Sequence, residues 1–217
     1  MHYTFDAWMQ REYPHNPFAR YADDSVTHCP SEIETTALLL AAIEGRLKEC
    51  KLEMHPDKSK VVYSKDDRRR KDYPRIQFTF LGYTVRPRRT QDRYAKSRTS
   101  FLPPLTAAAI RRMMSEIRKW KLPRQTSVDL NQLARQYNTA LRGWLNYYGQ
   151  FYKFAMRRVF NHFHRALLRW ARRKYRKLAG RPRRSQRWLQ KMVNRQPRLF
   201  IHWLAFGRVT VRTMGAV

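Results

Sequence analysis

Two adjacent carboxylates, Asp23 and Asp24, stand between two short apolar runs in the stretch FARYADDSVTHC, residues 18–29. Neighbouring carboxylates in a turn can hold a hard divalent cation. Mg2+ takes oxygen ligands, often one or two carboxylates, and leaves its other positions to water and substrate phosphates. Two such ions can activate an attacking oxygen and stabilise a leaving one in phosphoryl transfer. Taken alone the pair reads as an ordinary solvated turn, because Asp is a common turn residue. Neighbouring side chains on a strand point to opposite faces, so Asp23 and Asp24 are not expected to be equal ligands.

The chain around this pair is strongly basic. Its 217 residues carry 46 Lys and Arg against 16 Asp and Glu, a formal net charge of +30. Such an excess repels itself unless a polyanion neutralises it, with nucleic acid the first candidate and an acidic membrane surface the second. The hydrophobic share of 42%, with 6 Trp, 12 Tyr and 11 Phe, is enough for a packed core and argues against simple disorder. The charge is uneven: residues 1–67 hold 12 acids and 8 bases, whereas residues 130–217 hold 21 bases and no acid. The first segment can do metal chemistry, and the last can grip phosphates. Two cysteines, Cys29 and Cys50, point to a reducing compartment without a disulfide framework. No apolar run reaches the roughly 18 residues of a membrane span. The opening MHYTFDAWMQ lacks the basic start and apolar core of a signal peptide. The expected location is therefore cytoplasmic, on nucleic acid, with no membrane partner. There is no internal repeat and no glycine-rich phosphate loop. His162 and His164 are two apart and would face different sides of a helix, which disfavours a zinc site.

The elements that must position these groups follow from spacing. Residues 3–11 read as the end of a helix, broken near Pro14 and Pro17. FARYADDSVTH reads as strand, tight turn, strand. Ser31 and Glu34 are spaced as a capping box for a helix to about Cys50, with Ile33, Ala37, Leu40, Ile43 and Leu47 as its apolar stripe. KLEMHPDKSKVVYS is a turn running into a strand at Val61–Tyr63, DDRRRKDYPR a charged loop, and IQFTFLGYTV a hairpin-like run bent at Gly82. RPRRTQDRYAKSRTSFLPP is a basic connector. Leu105–Trp120 is a helix with Ile110, Met113, Ile117 and Trp120 on one face. Residues 130–151 form a second, with Leu133, Tyr137, Ala140, Trp144, Tyr148 and Phe151 three or four apart. Residues 154–178 form a third, whose seam is Met156, Phe160, Phe163, Leu167 and Trp170. On its other side Arg158, Arg165, Arg169, Arg172 and Arg176 are 7, 4, 3 and 4 apart and share a face. GRPRR, residues 180–184, is a basic turn, and Ser185 caps a last short helix to Val193. The aromatic tail RLFIHWLAFGRV packs back on the bundle. The fold class is α+β: short antiparallel strands with a helix, then an all-α region.

An aromatic, a small residue and two aspartates between short apolar strands resemble the Tyr-x-Asp-Asp signature of reverse transcriptases. FARYADDSVTHC, LEMHPDKSKVVYS and FTFLGYTV resemble successive polymerase palm motifs of the reverse transcriptases encoded by group II introns, the maturase family. FLPPLTAAAIRRMMSEIR and LNQLARQYNTALRGWLNYYGQF resemble the thumb and maturase-specific region that follow, through His202-Trp203 and the terminal MGAV. The resemblance implies the end of a palm over residues 1–86, a connector and first thumb helix over 87–125, and a helical RNA-binding region over 126–217. It implies Mg2+ held by Asp23, the main ligand, and Asp24, the weaker one. Tyr21 and Ala22 would lie at the primer end, and Lys58 or Lys60 would reach the incoming triphosphate or its leaving group. Lys60 is then counted with the aspartates as catalytic; both lysines are otherwise surface charge beside Asp57. Gly82 and Tyr83 would belong to the hairpin that grips the primer, a role compatible with a structural bend. Gly143-Trp144 and Tyr147-Tyr148 would be core. Arg158, Arg165, Arg169, Arg172, Arg173, Arg176, Arg183 and Arg184 would bind RNA.

The family's two-metal site needs a further aspartate from an earlier strand, and only 22 residues precede Asp23. Asp6 in FDAWM is not that group, because helical spacing buries Phe5 and Trp8 and turns Asp6 outward. The expectation is a C-terminal half of such an enzyme: RNA-directed DNA polymerisation in combination with a missing N-terminal half, plus intron RNA binding that assists splicing. The partners would be structured intron RNA and an RNA template with a DNA primer. The alternative is a non-catalytic, truncated maturase-type RNA-binding protein.

Overall fold

The computed structural model describes residues 1–29, 33–65, 73–91, 97–101 and 103–206. The expected Ser31–Glu34 capping box, most of the charged loop and the final MGAV lie outside them. The chain forms two compact units, one of residues Met1–Phe80 with Arg86–Ser100, the other of Leu81–Val85 with the chain from Phe101 onward. Short antiparallel strands and long helices together make it a mixed α and β protein.

In the first unit a π-helical turn, His2–Asp6, leads into α1 (Ala7–Glu12), then β1 (Phe18–Tyr21), β2 (Asp24–Thr27) and α2 (Ile33–Glu49). Phe5 and Met9 pack with Leu39, Ile43 and Leu47 of α2, and Phe18 meets Phe5 edge-on at 5.3 Å. The buried stripe of α2 is thus Leu39–Ile43–Leu47, a strict four-residue spacing; Ala37 is exposed and Leu40 only half-buried. No strand forms at Val61–Tyr63. Tyr63 N–H donates to the Arg75 carbonyl at 2.9 Å and its ring lies 4.2 Å from that of Tyr73.

Strand β3 (Phe78–Phe80) ends in the first unit and β4 (Tyr83–Val85) lies in the second. Between them Leu81 (φ 50°) and Gly82 (φ 82°) both adopt the left-handed conformation that a tight two-residue turn requires. The expected bend is therefore present. The basic connector, by contrast, contains a hairpin: β5 (Arg88–Gln91) pairs antiparallel with β6 (Ser97–Ser100), Arg88 opposite Ser100 and Gln91 opposite Ser97. Each strand carries a β-branched Thr, Thr90 and Thr99, which suits a strand, a signal hidden by the density of arginines.

The second unit is a helical bundle around α5. Helix α3 (Ala107–Lys119) starts where Thr106 Oγ1 accepts the Ala109 N–H at 3.0 Å. Helix α4 (Leu130–Tyr152) starts on a reciprocal cap, Asp129 Oδ1 accepting from Gln132 N at 2.7 Å and Gln132 Oε1 from Asp129 N at 2.6 Å. Each satisfies an amide that the helix itself leaves free. A 3-10 turn, Lys153–Met156, separates α4 from α5 (Arg157–Lys174). The third helix is therefore shorter than its apolar seam suggested: it stops at Tyr175, which is extended (φ −105°, ψ 109°), and Arg176 belongs to the next 3-10 turn. Val159, Phe160, Phe163, Leu167, Trp170 and Ala171 face the core, each large side chain contributing about 1.5–3 kcal/mol by leaving water. Trp120 stacks on Tyr137 at 4.5 Å and on Trp144 at 5.5 Å, so Trp144 is a packing residue.

Helix α6 (Pro182–Arg195) begins three residues before Ser185. Proline is pre-shaped for the first helical position, and the buried Ser185 hydroxyl donates back to the Pro182 carbonyl at 2.8 Å instead of capping. Arg183 and Arg184 therefore ride on the first turn of a helix, not in a loop. Helix α7 (Ile201–Phe206) packs back as expected, with Phe200, His202 and Trp203 buried.

Candidate nucleic-acid interface

The outward face of α5 and the start of α6 enclose a groove of about 380 Å³, lined by His162, Arg165, Leu168, Arg169, Arg172, Pro182, Ser185 and Gln186. Pro182 also borders a shallower hollow of about 700 Å³ walled by Arg181, Arg183, Arg184 and Arg187. Helix α5 presents its arginines there because Val159, Phe163, Leu167 and Trp170 turn the opposite side inward. None of these arginines forms an ion pair among the described residues. Arg172 is steadied by its Nε donating to the Leu168 carbonyl at 3.4 Å. Burial holds the His162 imidazole below its ordinary range, and Arg118, Arg169 and Arg165 push the same way. The uncompensated guanidinium groups around it make the local potential positive. The amino end of α6 adds to it, because unsatisfied backbone amides there carry partial positive charge.

Of the eight arginines singled out from sequence, Arg165, Arg169 and Arg172 line the groove, and Arg183 and Arg184 line the hollow that adjoins it at Pro182. Arg158, Arg173 and Arg176 are exposed but do not line the groove. The break at Tyr175 takes Arg176 off the α5 face, which corrects the five-arginine stripe. Sequence reasoning missed His162, Arg181 and Arg187. Arg187 follows Arg183 by four residues, a helical spacing visible once α6 is known to begin at Pro182.

The aspartates sit where the sequence placed them. Strands β1 and β2 pair with Phe18 opposite Thr27 and Tyr21 opposite Asp24, leaving Ala22-Asp23 as a two-residue turn. Ala22 has φ 56°, a conformation that costs an L-residue about 1–2 kcal/mol. Asp23 and Asp24 are exposed, as is Tyr21 at 65%. Among the described residues no group of three or more acidic, His or Cys side chains gathers to hold a metal ion. Asp6 is not turned outward, as its helical position had suggested. It is largely covered, with both oxygens on Arg20: Nε to Oδ1 and Nη2 to Oδ2, each 2.6 Å. Arg20 and, less strongly, His2 hold the Asp6 carboxyl down at about 2. Lys58 and Lys60 are exposed, and neither forms an ion pair with Asp23 or Asp24 among the described residues.

Gly82 and Tyr83 are built into the second unit. Thr106 N–H donates to the Gly82 carbonyl at 2.9 Å, and the space a side chain would take at Gly82 abuts the Tyr148 ring at 3.2 Å. Tyr83 is buried, with its hydroxyl donating to the Tyr147 carbonyl. Of the expected core residues Tyr148 is buried, but Gly143 and Tyr147 are exposed, and so is Phe151 from the apolar seam.

A helical bundle with an arginine-walled, acid-free groove is a polyanion-binding module. Residues 110–190, which span α3 from Ile110 through most of α6, match the family described as group II intron, maturase-specific domain. This segment of the chain is therefore similar to a maturase-specific domain of the kind encoded by group II introns. No curated protein and no solved structure matches the chain. Among the described residues, no helix is long and apolar enough to cross a membrane.

Proposed function

We propose that this protein binds the folded RNA of a group II intron through the α5–α6 groove and thereby assists splicing. The observation that carries this reading is that Arg165, Arg169 and Arg172 line one concavity and Arg183 and Arg184 the one adjoining it at Pro182, with no acid among the lining residues, inside the segment that matches the maturase-specific domain. Guanidinium groups donate in a fork that matches phosphate oxygens, so a row of them reads backbone geometry rather than base sequence. Bound this way, the protein would stabilise a compact RNA fold and leave the splicing chemistry to the RNA. The direct test is the salt dependence of intron RNA binding. Released counterions make affinity fall steeply with salt, and a flat response would remove the groove from the account.

A second reading is favoured by the Ala22-Asp23 turn: RNA-directed DNA polymerisation by a palm of which this chain holds one part. The hard oxygens of Asp23 and Asp24, exposed on a braced turn, fit one Mg2+ whose other positions go to water and phosphate. They do not by themselves fit the two-metal site, which needs a further carboxylate. When bound, the metal would supply Lewis acidity toward phosphoryl oxygens. This chain's own part is to hold the two carboxylates out from the turn, with Tyr21 and Ala22 at the primer side and Lys58 or Lys60 toward the nucleotide. Gly82 and Tyr83 would shape the primer-side hairpin. Primer extension on an RNA template, in the presence of a segment supplying the missing carboxylate, tests this reading. Extension unaffected by Asp23→Ala would end it.

A further inference from the structure

Four aromatic side chains stand unusually exposed around the end of α4: Tyr147 (48%), Phe151 (56%), Tyr152 (43%) and Phe154 (64%). Spacing alone would have buried Phe151 with Tyr148, and Tyr147 was expected in the core. Tyr147 and Phe151 are four residues apart and share one side of the helix. They are held, not loose. The Tyr147 hydroxyl donates to the Leu81 carbonyl at 3.2 Å, and its ring stands edge-on to Tyr148 at 4.7 Å. Phe151 stands at 89° against Tyr83 at 5.2 Å, and the Tyr83 hydroxyl returns to the Tyr147 carbonyl. The left-handed turn at Leu81-Gly82 runs close to Tyr148, whose ring would lie 3.2 Å from a side chain begun at Gly82. Tyr152, the last residue of α4, and Phe154 in the 3-10 turn after it are exposed as well, their rings 6.3 Å apart.

From this we infer a binding site for unpaired nucleobases, separate from the phosphate-gripping groove: the exposed rings of Tyr147, Phe151 and Phe154 are platforms on which successive bases of single-stranded RNA stack. The inference rests on the RNA-binding reading and adds what kind of RNA is held and where. Three observations select bases over other apolar partners. The patch is aromatic rather than aliphatic, and a ring offers a π-face to any base. A cation stands beside it: Arg112 donates to the Tyr148 hydroxyl at 3.2 Å, and the chain that follows the patch carries Arg157 and Arg158, both exposed. No acid occurs anywhere in residues 130–217, so a strand's phosphates meet no repulsion there. Rings already fixed by their neighbours lose little freedom when a base arrives.

The test uses the full chain, an unstructured 12-nucleotide RNA carrying 2-aminopurine, and a blunt RNA duplex. Stacking should quench the 2-aminopurine fluorescence on binding. A Phe151→Leu/Phe154→Leu protein keeps apolar bulk but loses two rings. It should bind the single strand roughly tenfold to a hundredfold more weakly and lose the quench, with duplex affinity and circular dichroism unchanged. Binding without quench, or an equal loss for duplex and single strand, overturns the stacking site and leaves the groove intact. A dimer of this chain that the double variant disperses also overturns it, because the patch would then be a protein contact. If the unaltered protein binds neither RNA at low salt, the RNA-binding reading falls and the stacking site with it.

Discussion

Arg20 donates two hydrogen bonds of 2.6 Å to Asp6 and a third, also 2.6 Å, to the carbonyl of Ala22. A residue from the first helical turn thus braces the hairpin that displays Asp23 and Asp24, through an arginine 14 positions further along the chain. The bidentate geometry makes the pair stronger than an ordinary surface ion pair.

Removing that brace is expected to loosen the turn. Asp6→Asn leaves the Arg20 guanidinium with a weaker, uncharged partner and should destabilise the first unit. The pair also sets an acid limit. The Asp6 carboxyl lies at about 2 against an ordinary 3.8. Its stabilisation is fully present above the ordinary value and is lost as pH falls from there through about 2. Amide exchange in β1 and β2 between pH 5 and pH 2 should show the loss in the unaltered protein and a flatter profile in Asp6→Asn.

In the groove, Arg165→Gln and Arg169→Gln should each weaken intron RNA binding and lower the slope of log affinity against log salt by about 1. Both side chains are exposed and make no internal ion pair among the described residues, so the melting temperature should not move. A protein that melts earlier, with its salt slope intact, would make these arginines structural. Phosphate beside His162 should also raise its imidazole, which burial and arginines hold low in the free protein. RNA should therefore shift its titration, followed by NMR, to higher pH.

The core of the second unit carries an acid-sensitive pair. His202 is fully buried, with neither ring nitrogen hydrogen-bonded among the described residues, 6.2 Å from His164 and among the rings of Phe160, Phe163 and Phe200. Burial pushes His164 down to about 4 and His202 well below 6.5, with His164 adding to the latter. The unfolded chain takes up protons near 6.5 that the folded one refuses, so stability falls as pH drops from 6.5 toward 4. Thermal melts across that range should show the decline, and His164→Leu should make it shallower. A profile flat down to pH 4.5 would contradict the neutral, buried assignment.

Two glycines with positive φ separate conformation from space. Gly180 (φ 65°) has nothing within 4 Å of where a side chain would begin, whereas at Gly82 (φ 82°) the Tyr148 ring is 3.2 Å away. Gly180→Ala should cost only the left-handed backbone term, about 1 kcal/mol. Gly82→Ala should cost more, because the buried Tyr148 must shift, and calorimetry on the two variants reads the difference.

Local chemistry determined much of this protein. Asp23 within a strand–turn–strand pattern, the stripe Met113–Ile117, the seam Phe160–Phe163–Leu167–Trp170 and the acid-free final segment are legible because each depends on residues a few positions apart. The resemblance to intron maturases rests on ordered blocks of this kind, and the match over residues 110–190 agrees with it. Tertiary structure decided whatever depends on distant partners. Helical period alone could not say that α5 stops at Tyr175, that Arg176 leaves the arginine face, or that α6 starts at Pro182 and closes a groove against Arg165 and Arg169. Nor could spacing reveal that Asp6 turns to Arg20, or that Tyr147 and Phe151 stay in water while Tyr83 and Tyr148 fill the space behind them. Periodicity states which residues share a face; only the packing of one element on another decides whether that face is covered.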